Sequence, residues 1–264
     1  MQVSQLFLHP LKSAAGLNVD SVEIEPRGPQ HDRRWMLIDD NARFVSGREL
    51  GALVKLSAQV DSEGLQLRWQ ERALNVARPA QSAARVNVEL WKDSIDAALA
   101  EDTTNATLSQ WFQRPLRLVY MDDQASRPAD PKYAEPNQEV SFADGYPLLL
   151  ISETAITELD ARVGGGIDAR RFRPNIVVSG CSAHAEDGWK RLRIGAIEFA
   201  NVKPCVRCVF TTVDADSGER DSRGEPLRSL KDYRRGEKGI TFGVNLIARG
   251  TGRIAVGDAV TVLE

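Results

Sequence analysis

Cys205 and Cys208 stand two residues apart in the stretch NVKPCVRCVFTTVD, with Arg207 between them and Lys203 just before. A C-x-x-C pair can be a redox couple, half of a zinc site, or one working thiolate beside a second thiol. Structural zinc takes four Cys or His ligands. Only Cys181 and the scattered His9, His31 and His184 remain to supply the rest, and none has second-pair spacing. A thioredoxin-type pair sits at a helix N-terminus, whose dipole lowers the first thiol's pKa, whereas the flanks NVK and VFTTVD place this one between or within strands. As a lone thiolate, one cysteine would be favoured in its charged form by Lys203 and Arg207, and sulfur suits a thiophilic metal better than Mg or Ca. Against this stands the plain alternative of two structural cysteines, since free Cys is often a small core residue.

Other residues could serve an anionic ligand. HPLKSAAG ends a strand at His9–Pro10 and presents Lys12 and Ser13, an ammonium and a hydroxyl able to contact phosphate, although a solvated turn explains it as well. In HDRRWMLID, Arg33 and Arg34 must point to opposite faces of a strand, and either fork could take phosphate or a carboxylate of the fold. In FRPNIVVSG, Arg173 and Asn175 flank Pro174 and can face one pocket. SFADGYP contains Asp144–Gly145, a tight-turn pair with exposed backbone donors, or an ordinary hairpin connection. Glu186 and Asp187 in AEDGW are acid/base candidates whose default reading is a solvated loop. No Ser-His-Asp or Cys-His spacing stands out, and three histidines leave little room for histidine chemistry.

The elements that must position these residues read mostly as strands. QVSQLFLH and VDSVEIE alternate, and RRWMLID, LVKLSAQV, LQLRW, ARVNVEL, LRLVY, PLLLI, NIVVSG, RIGAIEFANV, VRCVFTTV, GITFGVNLIA and IAVGDAVTVL are short, β-prone and bounded by Gly, Pro or Asp. Helices are expected at TTNATLSQWFQ, at SETAITELDARV with Ser152 capping its start, and at EPLRSLKDYRR with Pro226 at the first turn. The fold class expected is mainly β with a few helices (α+β). A polar, Pro-rich stretch over 122–147 marks a linker or long loop, dividing 1–121 from 122–264. No doubly wound alternation or G-x-G-x-x-G fingerprint is present.

The chain has 264 residues, 42% hydrophobic and 27% charged, and 34 Lys plus Arg against 37 Asp plus Glu leave a net charge of -3. That composition is ordinary for a globular protein and gives no bulk affinity for nucleic acid. No secretory signal pattern and no run near the ~20 apolar residues of a spanning helix occurs. Three cysteines are too few for a disulfide framework, so a reduced cytoplasmic setting, without membrane or nucleic-acid partners, is expected.

Together HPLKS, DRRWMLID, FADGYP, FRPNIVVSG, KPCVRCVFTTVD, GEPLRSL, FGVNLIARGTG and the closing IAVGD resemble the MOSC family across essentially the whole chain. Within it the likeness is to the YcbX-type bacterial members and the mitochondrial amidoxime-reducing component. The resemblance implies an N-terminal MOSC β-barrel region packed on a β-barrel-like MOSC domain, and a molybdenum cofactor: a pterin dithiolene with a terminal phosphate, its metal also held by one protein cysteine. By position in the motif that ligand is Cys208, the implied metal and catalytic residue. Lys12, Ser13 and Arg33 correspond to contacts at the phosphate and pterin end, and Asp144, Gly145 and Tyr146 to the loop beside the cofactor. Arg173 and Asn175 match polar pterin contacts, Asn245 a further contact, and Cys205, Val206 and Arg207 the turn leading into the ligand. A buried anionic guest needs such convergent cations and donors.

The implied activity is reduction of N-hydroxylated compounds: amidoximes, hydroxylamines and N-hydroxylated base analogues, a detoxification chemistry. Asp144 and Asp187 are the candidate proton relays. Some YcbX-type proteins carry a ferredoxin-like extension with an iron–sulfur cluster. Three cysteines cannot supply both sites, so electrons are expected from an external ferredoxin-like or flavoprotein donor. Relatives often read A-R-Q where Gly47–Glu49 stands, so Glu49 is assigned no role. The rival readings are a carrier of the cofactor or of sulfur without turnover, and a metal-free thiol protein using Cys205 and Cys208 as a disulfide pair.

Overall fold

Runs of β-branched and apolar residues cut by Gly, Pro and Asp become strands over most of the chain, because side chains alternating across a pleat bury one face. The computed structural model describes residues 1–136 and 138–264. In chain order, β1 (Gln2–Leu8), β2 (Leu17–Val19), β3 (Ser21–Glu25), β4 (Gly28–Pro29), β5 (Trp35–Ile38), β6 (Ser57–Val60), β7 (Gly64–Trp69), β8 (Arg72–Ala77), β9 (Arg85–Leu90) and β10 (Asp93–Leu99) lead into α1 (Asp102–Phe112) and β11 (Arg117–Tyr120). Then come β12 (Leu148–Ser152), α2 (Glu153–Val163), β13 (Ile176–Ser179), β14 (Arg191–Ile194), β15 (Ile197–Val206), α3 (Leu227–Tyr233), β16 (Arg235–Gly236), β17 (Gly239–Ala248), β18 (Gly252–Ala255) and β19 (Val260–Val262). The molecule is mainly β, in the α+β class.

One curled sheet runs β19-β14-β15-β17-β12-β13-β1-β2, with β16 on β17. Its one parallel pair, β12 with β13, needs a crossover, and α2 supplies it, ending at Gly164 in the left-handed conformation. Strand β1 crosses into this sheet and pairs antiparallel with β13, Leu6 opposite Ile176. A second sheet, β5-β11-β10-β9, and the meander β6-β7-β8 carry the other barrel-like half. Leu6, Phe199, Val244 and Leu246 form the core of the large sheet, and Trp35, Leu53, Leu67 and Leu108 that of the other half. Each such fully buried side chain stabilises by roughly 1.5–3 kcal/mol.

Several local expectations are corrected. LVKLSAQV is not all strand, because a 3-10 turn at Gly51–Lys55 precedes β6. VRCVFTTV is strand only to Val206. Residues Val209–Thr212 form a 3-10 turn, with the Thr211 amide and hydroxyl both donating to the Cys208 carbonyl. Ser152 does precede α2, but its hydroxyl accepts the His184 amide instead of capping the helix. Pro226 lies one residue before α3 (Leu227–Tyr233), and the Glu225 carboxylate accepts the Ser229 amide. Glu186 is not a solvated loop residue but fully buried, its Oε1 accepting the Ser152 amide at 3.0 Å.

Candidate functional site

Register brings the distant motifs together. Since β1 is antiparallel to β13, the HPLKS turn after β1 meets Arg173–Asn175 just before β13. Since β12 is parallel to β13, the loop preceding β12 arrives at the same end. Strand β17 sets Asn245 opposite Leu149 and opposite Lys203 of β15. Irregular register between Pro204 and Val206 bends β15 and releases Cys205 from regular pairing. The result is a cavity of about 270 Å³ lined by Lys12, Ser13, Arg33, Asp144, Gly145, Tyr146, Arg173, Asn175, Cys205, Val206, Arg207, Cys208 and Asn245. Every residue that the resemblance assigned to the cofactor or its metal lies on it.

The deep side is cationic. The Lys12 ammonium donates to Asp144 Oδ1 at 2.5 Å and to the Phe142 carbonyl at 2.7 Å. Burial pushes its pKa down to about 8 despite Asp144. Asp144 is 77% exposed to the cavity. Desolvation pushes its pKa up, but the Lys12 charge and hydrogen bond, with Arg33 and Arg207 beyond, hold it well below the carboxylate range. Arg33 donates to Asp32, to Asn175 Oδ1 at 3.3 Å and to the Arg173 carbonyl at 2.9 Å. Arg34 turns away, to the Met121 carbonyl and Asp123, though not by strand alternation, since both arginines precede β5 and Arg33 has φ 51°.

Arg173, in the left-handed conformation at φ 56°, donates to the Ala14 carbonyl, while its buried Nη2 has no partner. Burial, with Arg33 beside it, pushes its pKa down to about 9. Asn175 ties the strands as well as Arg33: its Oδ1 also accepts the Leu149 amide at 3.2 Å. His9 braces this end, its Nε2 lying 3.0 Å from the Pro174 carbonyl, and burial with Arg173 and Arg33 keeps its pKa well below normal. Gly16 permits this packing, because a Cβ there would lie 2.6 Å from the imidazole.

The two cysteines have different settings. Cys205 Sγ accepts Arg207 Nη1 at 2.9 Å, while Arg207 Nη2 donates to the Phe172 carbonyl at 2.6 Å and its buried Nε has no partner. Cys208 is exposed at the start of the 3-10 turn. Among the described residues no group of three or more His, Cys, Asp or Glu is placed to hold a metal ion. A fully protein-ligated zinc site is therefore not formed at this pair. Tyr146 lies under the Lys203 ammonium, 5.1 Å from the ring centroid, and burial pushes its phenol up to about 12. Gly145 has open space where a Cβ would stand, so packing does not demand glycine there. Asn245 Nδ2 donates to the Lys203 carbonyl at 3.4 Å. Asp187, expected as a proton relay, is not on the cavity: its carboxylate pairs with Arg234 at 2.6 Å.

Sequence reasoning passed over Phe44, Arg48, Trp91, Arg171 and Phe210, which also line the cavity, and Arg127, which shapes it. Buried Arg127 pairs with Asp93 at 2.8 Å and donates to the carbonyls of Ser141, Ala143 and Asp144, fixing the loop that FADGYP forms in place of a hairpin. No local signal marks Arg127. Trp91 had one: an aromatic in a two-residue turn between strands, where Gly or Asn is usual.

A MOSC N-terminal beta barrel domain matches residues 1–116 and a MOSC domain residues 137–261. Human mitochondrial amidoxime-reducing component 1 is 34% identical over 284 residues, covering 99% of this chain and 82% of that protein. Bovine mitochondrial amidoxime reducing component 2 is 33% identical over 281 residues, covering 98% and 82%. A rice molybdenum cofactor sulfurase is 28% identical over 267 residues, covering 93% of this chain and 32% of the sulfurase. Among the described residues no helix is long and apolar enough to cross a membrane.

Proposed function

The chain belongs to the MOSC family, of the amidoxime-reducing-component type, and from that premise we propose that it holds a molybdenum cofactor in the cavity and reduces N-hydroxylated compounds with electrons from separate redox partners. One observation carries the reading: the exposed thiol of Cys208 shares a cavity with a surplus of cations, Asp144 being the sole carboxylate on its lining among the described residues. Such a surplus is costly when unpaired and fits a polyanionic guest. The orphaned donors of Arg173 and Arg207 fit the same guest.

A single protein sulfur suits a metal that arrives with ligands of its own. When bound, the cofactor would supply a two-electron reducing centre that removes oxygen from an N–O bond. The chain's own residues would then hold and orient it: Lys12, Ser13, Arg33 and Arg173 at the phosphate end, Asn175, Asn245 and the 144–146 loop along the pterin, and Cys208 on the metal. Asp144, ion-paired to Lys12 and open to the cavity, stays ionised and would orient the Lys12 ammonium, whose pKa of about 8 makes it the group able to give up a proton there.

Molybdenum analysis of protein made in a cofactor-competent host tests this. About one metal per chain, lost in Cys208→Ser, with benzamidoxime turnover under a chemical reductant, is the expected result. Wild-type protein without molybdenum, or Cys208→Ser that retains metal and full rate, would refute it.

The likeness to a cofactor sulfurase favours a second reading, a carrier that holds the cofactor or sulfur without turnover. Metal-replete protein that reduces no hydroxylamine would decide for the carrier.

A further inference from the structure

Strands β9 and β10 are joined by Trp91 and Lys92 alone, Leu90 pairing with Asp93. Trp91 sits there with φ 58°, a backbone conformation that bulky residues rarely adopt and that a hairpin turn gives to Gly, Asn or Asp. It is also 51% exposed. Neither the turn nor the core gains from a tryptophan at this place. Strain of this kind gathers where a side chain must be presented.

What Trp91 meets is the cavity. The Arg48 guanidinium lies 4.6 Å from its ring centroid, and the Phe44 ring approaches edge-on at 5.9 Å. Ser46 Oγ accepts Arg48 Nε at 3.1 Å and so limits where that guanidinium can lie. The Lys12 ammonium lies 4.9 Å from the Phe44 centroid, so an aromatic wall runs from the exposed tip down to the buried cations. Trp91, Val206 and Val209, on the cavity or just beside it, make up half of the exposed large apolar side chains among the described residues. A polar guest explains the deep cations but leaves this apolar mouth without a use.

We propose that Trp91, held between Arg48 and Phe44, is the specificity-determining wall of the cavity and selects N-hydroxylated compounds carrying an aryl or other flat apolar group. An aryl ring can stack on the indole or meet its edge while covering Phe44 and Val206 from water. A small aliphatic analogue reaches the same depth but leaves the wall wet. The proposal takes the class of reaction from the reductase reading, whereas the binding preference stands on the wall itself.

The test compares benzamidoxime with acetamidoxime in the cofactor-loaded protein, first by calorimetric titration without reductant and then in turnover. Trp91→Asn suits the left-handed turn and is expected to be at least as stable as wild type. It should nevertheless lose about tenfold of the preference for benzamidoxime, through KM rather than kcat, and Trp91→Phe should restore most of it. Equal weakening of both ligands, or an unchanged preference in Trp91→Asn, would overturn the proposal, as would wild-type protein with no aryl preference. An aryl preference in binding without turnover of either compound would sink the reductase reading and leave the wall in place.

Discussion

The Lys12 ammonium lies 2.5 Å from the Asp144 carboxylate, joining the first loop after β1 to the loop before β12. The pair gives the deep end of the cavity one neutralised cation, and Arg33 is matched by the buried Asp32, while Arg173 and Arg207 remain in excess around them. Most of the ligand-binding behaviour expected of the protein follows from that imbalance.

Anion affinity should depend on pH through Lys12. Its pKa in the fold is about 8, below its ordinary 10.5 because of burial. The ammonium is therefore present at pH 7 and lost as pH rises through 8, and the Arg173 guanidinium, pushed down to about 9, follows it. Sulfate, whose own charge is constant over this range, should bind the cofactor-free protein roughly tenfold more weakly at pH 10 than at pH 7. In Lys12→Met the affinity should be lower at pH 7 and its fall toward pH 10 smaller, Arg173 alone losing charge there. A flat profile in wild type would remove Lys12 from the anion site.

Cys205 and Cys208 should separate in a metal assay. Cys205→Ser is expected to retain molybdenum, since Arg207 remains anchored to the Phe172 carbonyl, and Cys208→Ser to lose it. Loss in both, with unchanged circular dichroism, would mean that the two sulfurs act jointly.

Arg127→Ala should destabilise the fold by about 2–3 kcal/mol in urea titration. It strands carbonyls at 141–144 and the Asp93 carboxylate, whose 30% exposure softens the loss. The 141–147 loop should lose amide-exchange protection before the sheets do. An effect below about 0.5 kcal/mol, the size of ordinary surface substitutions, would show that the loop holds itself.

Glu186 should make the protein less stable as pH rises. Burial pushes its carboxyl up, and the Ser152 amide only partly offsets this. The folded protein therefore holds a proton that the unfolded chain releases, so stability is greatest below the unfolded pKa and falls as pH climbs through the folded one. Glu186→Gln, isosteric and uncharged, should remove that slope, gaining on wild type from pH 5 to pH 8 in thermal unfolding. Parallel curves would contradict it.

The strand runs were legible because burial on one pleated face leaves its period in the sequence. So were the site residues carried by motifs, from Lys12 to Asn245, although what they hold is a proposal and not a reading of geometry. The rest was hidden for physical reasons. Cys208 and Thr211 leave the strand because two donors of Thr211 satisfy one carbonyl, a choice made after β15 bends. Arg127 acts on residues that only tertiary structure brings near it. Glu186 looks solvated beside Asp187 and Gly188, yet the fold needs its Oε1 for the Ser152 amide.

The pairing of β1 with β13 also constrains the order of assembly. Residues 2–8 leave the ribosome early but have no partner on one edge until Ile176–Ser179 has been synthesised. The cavity lacks Asn245 until β17 is laid between β12 and β15. A nascent chain thus has not assembled the lining before β17 is made, so a guest that needs the whole lining is expected to enter only after that.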